Sequence, residues 1–312
     1  MVGRFRGVHI ALTAVVGMWG LVFVGIARLL PQLDTVQLVV IRFTLIALVF
    51  LGIFVVVPST RPHISGWREF GLFVLMGALA VPGAQLSIVN GQNYLSPPLV
   101  SLVVTTAPAF AAIIAAIWLA EPLASLQVTG FALALLGVSI VILAGTGDSS
   151  LTVSNPWGAA LTLISPMSWA LYTILTKMLT GRFNPVTAVG VTMVLGSLSM
   201  APLYPHAVDG LSEITTAGWA WMVYLVIGGT VIPYLVWWRA LSELSAASTT
   251  AYMYAIPLAA LIWSWLILGI VPSVIALGGG AIVIAGVAMI QLNRRTPPVV
   301  VPSAAGGDIP TA

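Results

Sequence analysis

Arg42 stands alone in VVIRFTLI, residues 39–46, inside an apolar run from Val36 to Val57. A guanidinium carries five donors and a fixed charge. It must therefore find carbonyls of a neighbouring helix, the carboxylate of a substrate, or water at the membrane edge. Two tryptophans, Trp19 in GMWGL and Trp169 in MSWAL, lie in apolar runs at an offset of 150. Paired indoles can wall a flat or amphipathic ligand, each with one N–H to donate. The plainer alternatives are a core tryptophan and a ring anchored at the membrane interface; the interface suits the end of a run, and both rings sit in the middle. Gln85, Asn90 and Gln92, with Thr105 and Thr106 in the next run, form a polar set. Facing hydrocarbon they would leave donors unmet; singly they read as interhelical hydrogen bonds, and together they can wet a cavity. Tyr234, Trp237, Tyr252 and Tyr254 add an aromatic side suited to apolar or zwitterionic organic molecules rather than inorganic ions.

Other chemistries find no residues to carry them. There is no glycine-rich loop ending in Lys-Ser/Thr, so the chain does not hydrolyse ATP. Cysteine is absent, which excludes disulfides and thiolate metal sites. His9, His63 and His206 are far apart and near run ends, so no metal and no cofactor is expected. The eight acids, Asp34, Glu69, Glu121, Asp148, Asp209, Glu213, Glu243 and Asp308, fall near run ends or in connections. Proton-coupled carriers keep a carboxylate deep in the membrane. The expectation is gradient-driven efflux or exchange, or coupling through an edge carboxylate such as Glu243.

The elements that must position these residues follow from composition. The chain of 312 residues is 60% hydrophobic and 6% charged, too little charge for a soluble shell. The net charge of +3 reads as topology signals, too sparse for a nucleic-acid surface. The first run, Val8 to Leu30, exceeds the core of a signal peptide and reads as a spanning helix. Spans are expected at 8–30, 35–57, 67–94, 97–120, 125–144, 157–179, 185–204, 219–242, 246–269 and 273–292. With the N-terminus inside, the inner segments hold Arg4, Arg6, Arg61, Arg68, Lys177, Arg182, Arg239, Arg294 and Arg295, and the outer ones only Arg28. That bias puts both termini in the cytoplasm. The proline- and glycine-rich end, 296–312, reads as a disordered cytoplasmic tail.

The chain also reads as a duplication. Besides Trp19 and Trp169, Pro108 falls on Pro257, Gly130 on Gly279 and Gly137 on Gly286 at an offset of 149. Val81-Pro82 answers to Ile232-Pro233 with a small shift of register. Five spans per unit is an odd number, so the second unit enters the membrane inverted. The fold class is an all-α membrane protein of ten transmembrane helices as two inverted five-helix repeats, residues 1–148 and 149–295. Inverted repeats with matching Pro or Gly interruptions are characteristic of secondary transporters, whose site lies between the repeats.

MWGLVFVGIARLL, VVIRFTLIAL, the stretch 99–145 with Pro108, Glu121, Gly130 and Gly137, SWALYTILTK and GGGAIVIAGVAMI together resemble the drug/metabolite transporter superfamily, in its EamA-type ten-helix members. The resemblance spans nearly the whole chain. One departure stands out: the second unit reads GIVPSV, with Ile270 where the glutamate of the first unit's Ala120-Glu121-Pro122 would repeat. The resemblance implies export of small metabolites, often amino acids, through a cavity lined by helices 1, 3, 4, 6, 8 and 9. The second helix lies at the periphery of that cavity.

From these readings Trp19, Gln85, Asn90, Thr105, Trp169, Tyr234, Trp237 and Tyr254 are expected to bind substrate. Pro82, Pro108, Pro233 and Pro257 are expected to act as hinges, since proline interrupts helical hydrogen bonding. Arg42 is expected to brace neighbouring helices, and Glu121 to cap the turn into the fifth helix. The expected partners are a small-molecule substrate and the lipid bilayer, with no nucleic acid and a homodimer left open. The expected place is the cytoplasmic membrane, as a multi-pass protein. Two other classes compete: a membrane-embedded enzyme on lipid-linked substrates, which needs clustered carboxylates or histidines, and a non-transporting sensor or subunit.

Overall fold

The computed structural model describes residues 2–88, 103–119, 124–145, 161–269 and 274–292. Among them every regular element is helical. The α-helices are α1 (Val2–Leu29), α2 (Thr35–Val56), α3 (Trp67–Ala78), α4 (Ala107–Trp118), α5 (Ser125–Gly145), α6 (Ile164–Leu179), α7 (Pro185–Leu198), α8 (Tyr204–Asp209), α9 (Thr216–Val226), α10 (Ile232–Glu243), α11 (Ala246–Thr250), α12 (Ile256–Leu268) and α13 (Val274–Leu292). Among the described residues five helical stretches are long and apolar enough to cross a membrane: Gly7–Ile26, Thr35–Val56, Trp67–Leu86, Thr216–Glu243 and Ala246–Ile267. Large apolar side chains such as Ile10, Val56, Ile117, Ile275 and Ile284 are exposed on the helix surfaces. An aqueous surface would not carry so many; a lipid-facing one does. The chain is a membrane protein.

Local chemistry places the helix ends. Asp34 caps α2 in a reciprocal box: its carboxylate accepts the Gln37 N–H at 2.9 Å, and the Gln37 side chain accepts the Asp34 N–H at 3.0 Å. At an offset of 150, Asn184 caps α7 by accepting the Val186 N–H, with Pro185 in the first turn. Gly181, at φ 85°, takes the left-handed conformation just past the end of α6. Not all expected spans run straight. The helix through 185–204 breaks after Leu198 and turns by 51° into Ala201–Glu213. Residues 246–269 split into α11, a 3₁₀ segment Ala251–Ala255, and α12.

The prolines mark two different devices. Pro82 lies within a π-helical segment, Leu79–Leu86, that continues α3, and Pro233 follows the π-segment Ile227–Val231 that joins α9 to α10. Pro108 and Pro257 instead occupy the first turns of α4 and α12, so they open helices rather than interrupt them. A first-turn N–H has no intrahelical acceptor to lose, which is why proline fits there.

Small residues let the helices touch. A Cβ on Gly130 would sit 2.8 Å from the Gly286 carbonyl, and one on Gly137 would sit 2.8 Å from the Gly279 carbonyl. The helices α5 and α13 therefore run antiparallel with backbones in contact, as small-residue packing in lipid allows. Gly77 of α3 meets Gly196 of α7 in the same way, and Gly190 of α7 receives Phe50 and Phe54 of α2. Gly20 of α1 lies against Ala259 and Ala260 of α12. Helix α1 also packs on α9 and α10, while α6 packs on the π-segment of α3 and on α4.

Candidate substrate site

Where α1, α6 and α10 converge, five aromatic rings interlock. Trp19 meets Trp169 edge to face, with ring centroids 5.7 Å apart at 83°. Trp237 lies 5.3 Å from Trp19 and 5.7 Å from Trp169. Tyr234 stands edge-on to Trp169 at 5.4 Å, and Tyr172 lies 5.4 Å from Trp169 and 5.9 Å from Tyr234. Helical spacing accounts for the cluster. Trp169, Tyr172, Thr173 and Thr176 are spaced i, i+3, i+4, i+7 and so share one face of α6. Tyr234 and Trp237 are three apart on α10, with Thr230 one turn before. Edge-to-face rings gain about 0.5–1.5 kcal/mol each beyond the area they bury.

The polar edges of the nest are only partly met. The Trp169 indole donates to Met253 Sδ at 3.1 Å, and the Trp19 indole to the Gly229 carbonyl at 3.2 Å. Among the described residues the Trp237 N–H, the Tyr234 hydroxyl and the Thr173 hydroxyl are buried with no hydrogen-bond partner. Gln85 faces the Tyr234 hydroxyl, but outside hydrogen-bond geometry. Thr176 stands toward the Tyr172 hydroxyl in the same unfulfilled way. Buried polar groups are normally paired.

Arg42 is 5% exposed and sits beside this nest. Its guanidinium donates to Thr230 Oγ1 at 2.7 Å and to the Gly229 carbonyl at 3.5 Å, and it lies 5.4 Å from the centre of the Phe43 ring. It is a helix-to-helix contact from α2 to the π-segment before α10.

The other expected site residues are dispersed. Thr105 is buried just before α4. Tyr254 lies in a separate apolar cluster with Phe131, Ala134 and Val283, its ring 6.2 Å from that of Phe131. Tyr254 thus joins the packing of α5 and α13 and not the aromatic nest; the 3₁₀ turn before α12 carries it to the other side. Asn90, Gln92 and Glu121 lie outside the described residues. Tyr172, Thr173 and Thr230 were missed. The helical spacing from Trp169 through Thr176 was the available signal.

The two ends of the helices are tied differently. At the end that carries Asp34, Gln32 Oε1 accepts from the Thr215 N–H at 2.8 Å, and His206 Nε2 lies 2.6 Å from Asp34 Oδ2. Partial burial raises the Asp34 pKa, but the Gln37 N–H and His206 outweigh it and hold the carboxyl below its usual 3.8. At the opposite end, Arg182 pairs with Glu69 at 3.2 Å, and Thr187 Oγ1 donates to the Thr60 carbonyl at 2.8 Å. Lys177 Nζ donates to the carbonyls of Leu241 and Leu244 at the end of α10, where a cation is favoured.

The family model described as "EamA-like transporter family" matches residues 5–143 and again residues 156–292. The chain is 33% identical over 229 residues to a "Probable terminal-alkyne amino-acid exporter" of Streptantibioticus cattleyicolor, covering 73% of this chain and 75% of that one. It is 27% identical over 286 residues to an "Uncharacterized transporter" of Archaeoglobus fulgidus, covering 91% and 99%. A solved crystal structure shares the fold at a TM-score of 0.75 and 17% identity, over 92% of this chain and 97% of its own.

Proposed function

The chain belongs to the EamA-like transporter family, and on that premise we propose that it is a secondary transporter exporting an amino acid or a related small organic solute across the cytoplasmic membrane. Two inverted five-helix halves, 1–148 and 149–295, open the site alternately to either face. The aromatic nest of Trp19, Trp169, Tyr172, Tyr234 and Trp237, with its unmet Trp237 and Tyr234 donors, is the observation that carries the reading. Rings take the apolar part of a solute and attract an ammonium, while the open donors take its acceptor atoms. The Streptantibioticus relative's printed name supports the amino-acid class.

Several features support the inverted halves. The family model matches twice, and Gly130 and Gly137 answer at an offset of 149 to Gly279 and Gly286 but touch them crosswise, Gly130 against Gly286 and Gly137 against Gly279. A pair of equivalent helices meeting antiparallel is what a two-fold axis in the membrane plane generates. The π-segments at Pro82 and Pro233 sit at corresponding places in the two halves and supply hinges for the exchange of conformations. The described acids Asp34, Glu69, Asp209, Glu213 and Glu243 stand at helix ends or in connections. That placement supports efflux down the solute's own gradient, or exchange, with Glu243 the edge carboxylate for any coupling.

Proteoliposomes loaded with a radiolabelled amino-acid panel test the proposal. Efflux is expected to fall when Trp19 or Trp169 becomes alanine; equal efflux from both variants sinks the assigned site. Uphill movement driven by a pH gradient would replace the uncoupled version with a proton-coupled one. Single cysteines in this cysteine-free chain test topology. Labels on Ser242→Cys are expected only from inside, and on Ala217→Cys only from outside.

A further inference from the structure

The Gly229 carbonyl is the one that Pro233 deprives of its α-helical donor, since proline has no N–H to offer four residues back. It accepts instead from the Trp19 indole at 3.2 Å and the Arg42 guanidinium at 3.5 Å. Arg42 also donates to Thr230 Oγ1 at 2.7 Å, and Thr230 donates onward to the Leu225 carbonyl at 3.1 Å, five residues back along the π-segment. Glycine allows this approach: a Cβ on Gly229 would meet Val22 Cγ2 at 2.8 Å and Arg42 Nη2 at 3.2 Å. A buried guanidinium is costly unless its donors are met. Among the described residues Arg42 pairs with no carboxylate: carbonyl and hydroxyl dipoles of the π-segment meet its Nη2, while its buried Nε has no hydrogen-bond partner.

The first half lacks this clamp. The corresponding carbonyl, that of Ala78 four residues before Pro82, stands at the start of the π-segment Leu79–Leu86, where winding offers it a backbone donor five residues on, and it accepts from no side chain among the described residues. Trp169 turns its N–H to Met253 Sδ. Thr192, which answers to Arg42 at an offset of 150, donates to the Ala188 carbonyl of its own helix. Both π-segments accompany a proline, and they differ in the side chains that hold them.

We propose that Arg42 is a positioning residue: with Trp19 it locks the π-segment between α9 and α10 to the aromatic nest, so that the π-segment at Pro82 takes up the larger share of conformational change. The inference deepens the transport reading and rests on it, because a π-segment tied to the nest matters only if the nest is the solute site. Arg42 touches no solute in this account.

The test needs no solute. Spin labels on Ala217→Cys and Ser242→Cys, both exposed at opposite ends of α9–α10, report motion about the π-segment between them. Labels on Trp67→Cys and Ser87→Cys report motion about the π-segment that continues α3. In the reconstituted parent protein the Ala217–Ser242 distance distribution is expected to be the narrower of the two. Arg42→Met and Thr230→Val are expected to broaden it to the width of the other pair, which itself stays unchanged. Trp19→Phe should broaden it less, and Arg42→Lys should restore part of the narrow distribution. Equal widths in the parent overturn the proposal, as does a distribution indifferent to Thr230→Val and Trp19→Phe, which carry the test if Arg42→Met does not insert. Broadening as expected in a protein that transports nothing would remove the transport reading and leave the positioning role standing.

Discussion

The indoles of Trp19 and Trp169, 150 residues apart in sequence, meet edge to face with centroids 5.7 Å apart. Each donates its N–H to a different acceptor, Gly229 O for Trp19 and Met253 Sδ for Trp169. The rings therefore contact each other through their apolar surfaces and quadrupoles alone. A double-mutant cycle with Trp19→Leu and Trp169→Leu, read by thermal unfolding in detergent, is expected to give a coupling of about 0.5–1.5 kcal/mol. Additive losses would mean that the contact contributes nothing of its own.

Tyr234→Phe should leave the thermal midpoint unchanged or raise it, because the hydroxyl it removes is buried without a partner. An unmet buried polar group costs about 1–3 kcal/mol, and deletion relieves that cost. Transport should suffer in the same variant, with apparent affinity for a solute that carries an acceptor falling about tenfold, the equivalent of one hydrogen bond. A drop in the midpoint with transport intact would make Tyr234 a purely structural residue.

Gly286→Ala is expected to destabilise the protein by about 1–3 kcal/mol, the usual cost of forcing an extra carbon into close packing. Its Cβ would lie 2.6 Å from the Ala134 N and 2.8 Å from the Gly130 carbonyl, both backbone atoms that cannot step aside. Gly278, with open space around it, is the control. Thermal midpoints of Gly286→Ala and Gly278→Ala should separate clearly, and equal values would contradict the antiparallel contact of α5 with α13.

The Asp34–His206 contact predicts an acid-sensitive loss of stability. The Asp34 carboxyl is held below its usual 3.8 in the folded protein, so its contribution is complete above that value. It disappears as pH falls through the lowered one. Both side chains are about half exposed, 55% for His206 and 47% for Asp34, so solvent screening keeps the effect small. Asp34→Asn should flatten the dependence below pH 3.8 while keeping the helix cap. Asp34→Ala should cost about 1 kcal/mol at neutral pH through loss of that cap. Unfolding midpoints followed from pH 3 to pH 7 (the range about the usual 3.8) measure both.

Composition and period alone were enough for a helical membrane chain, for most helix boundaries and for the pairing of Trp19 with Trp169 by offset. Hydrocarbon leaves a backbone few choices, so an apolar run of sufficient length reads directly as a helix. The caps at Asp34 and Asn184 are equally local, each closing its own helix within three residues. Only the tertiary structure decided that Tyr254 belongs with Phe131, that Pro108 and Pro257 open helices, and that Tyr172 and Thr173 join the nest. It also decided that Arg42 reaches Gly229 and Thr230, 187 and 188 residues away. Which face of a helix meets which neighbour depends on crossing geometry and on local changes of winding. A single π or 3₁₀ turn rotates every side chain beyond it, and one-dimensional spacing carries no record of that rotation.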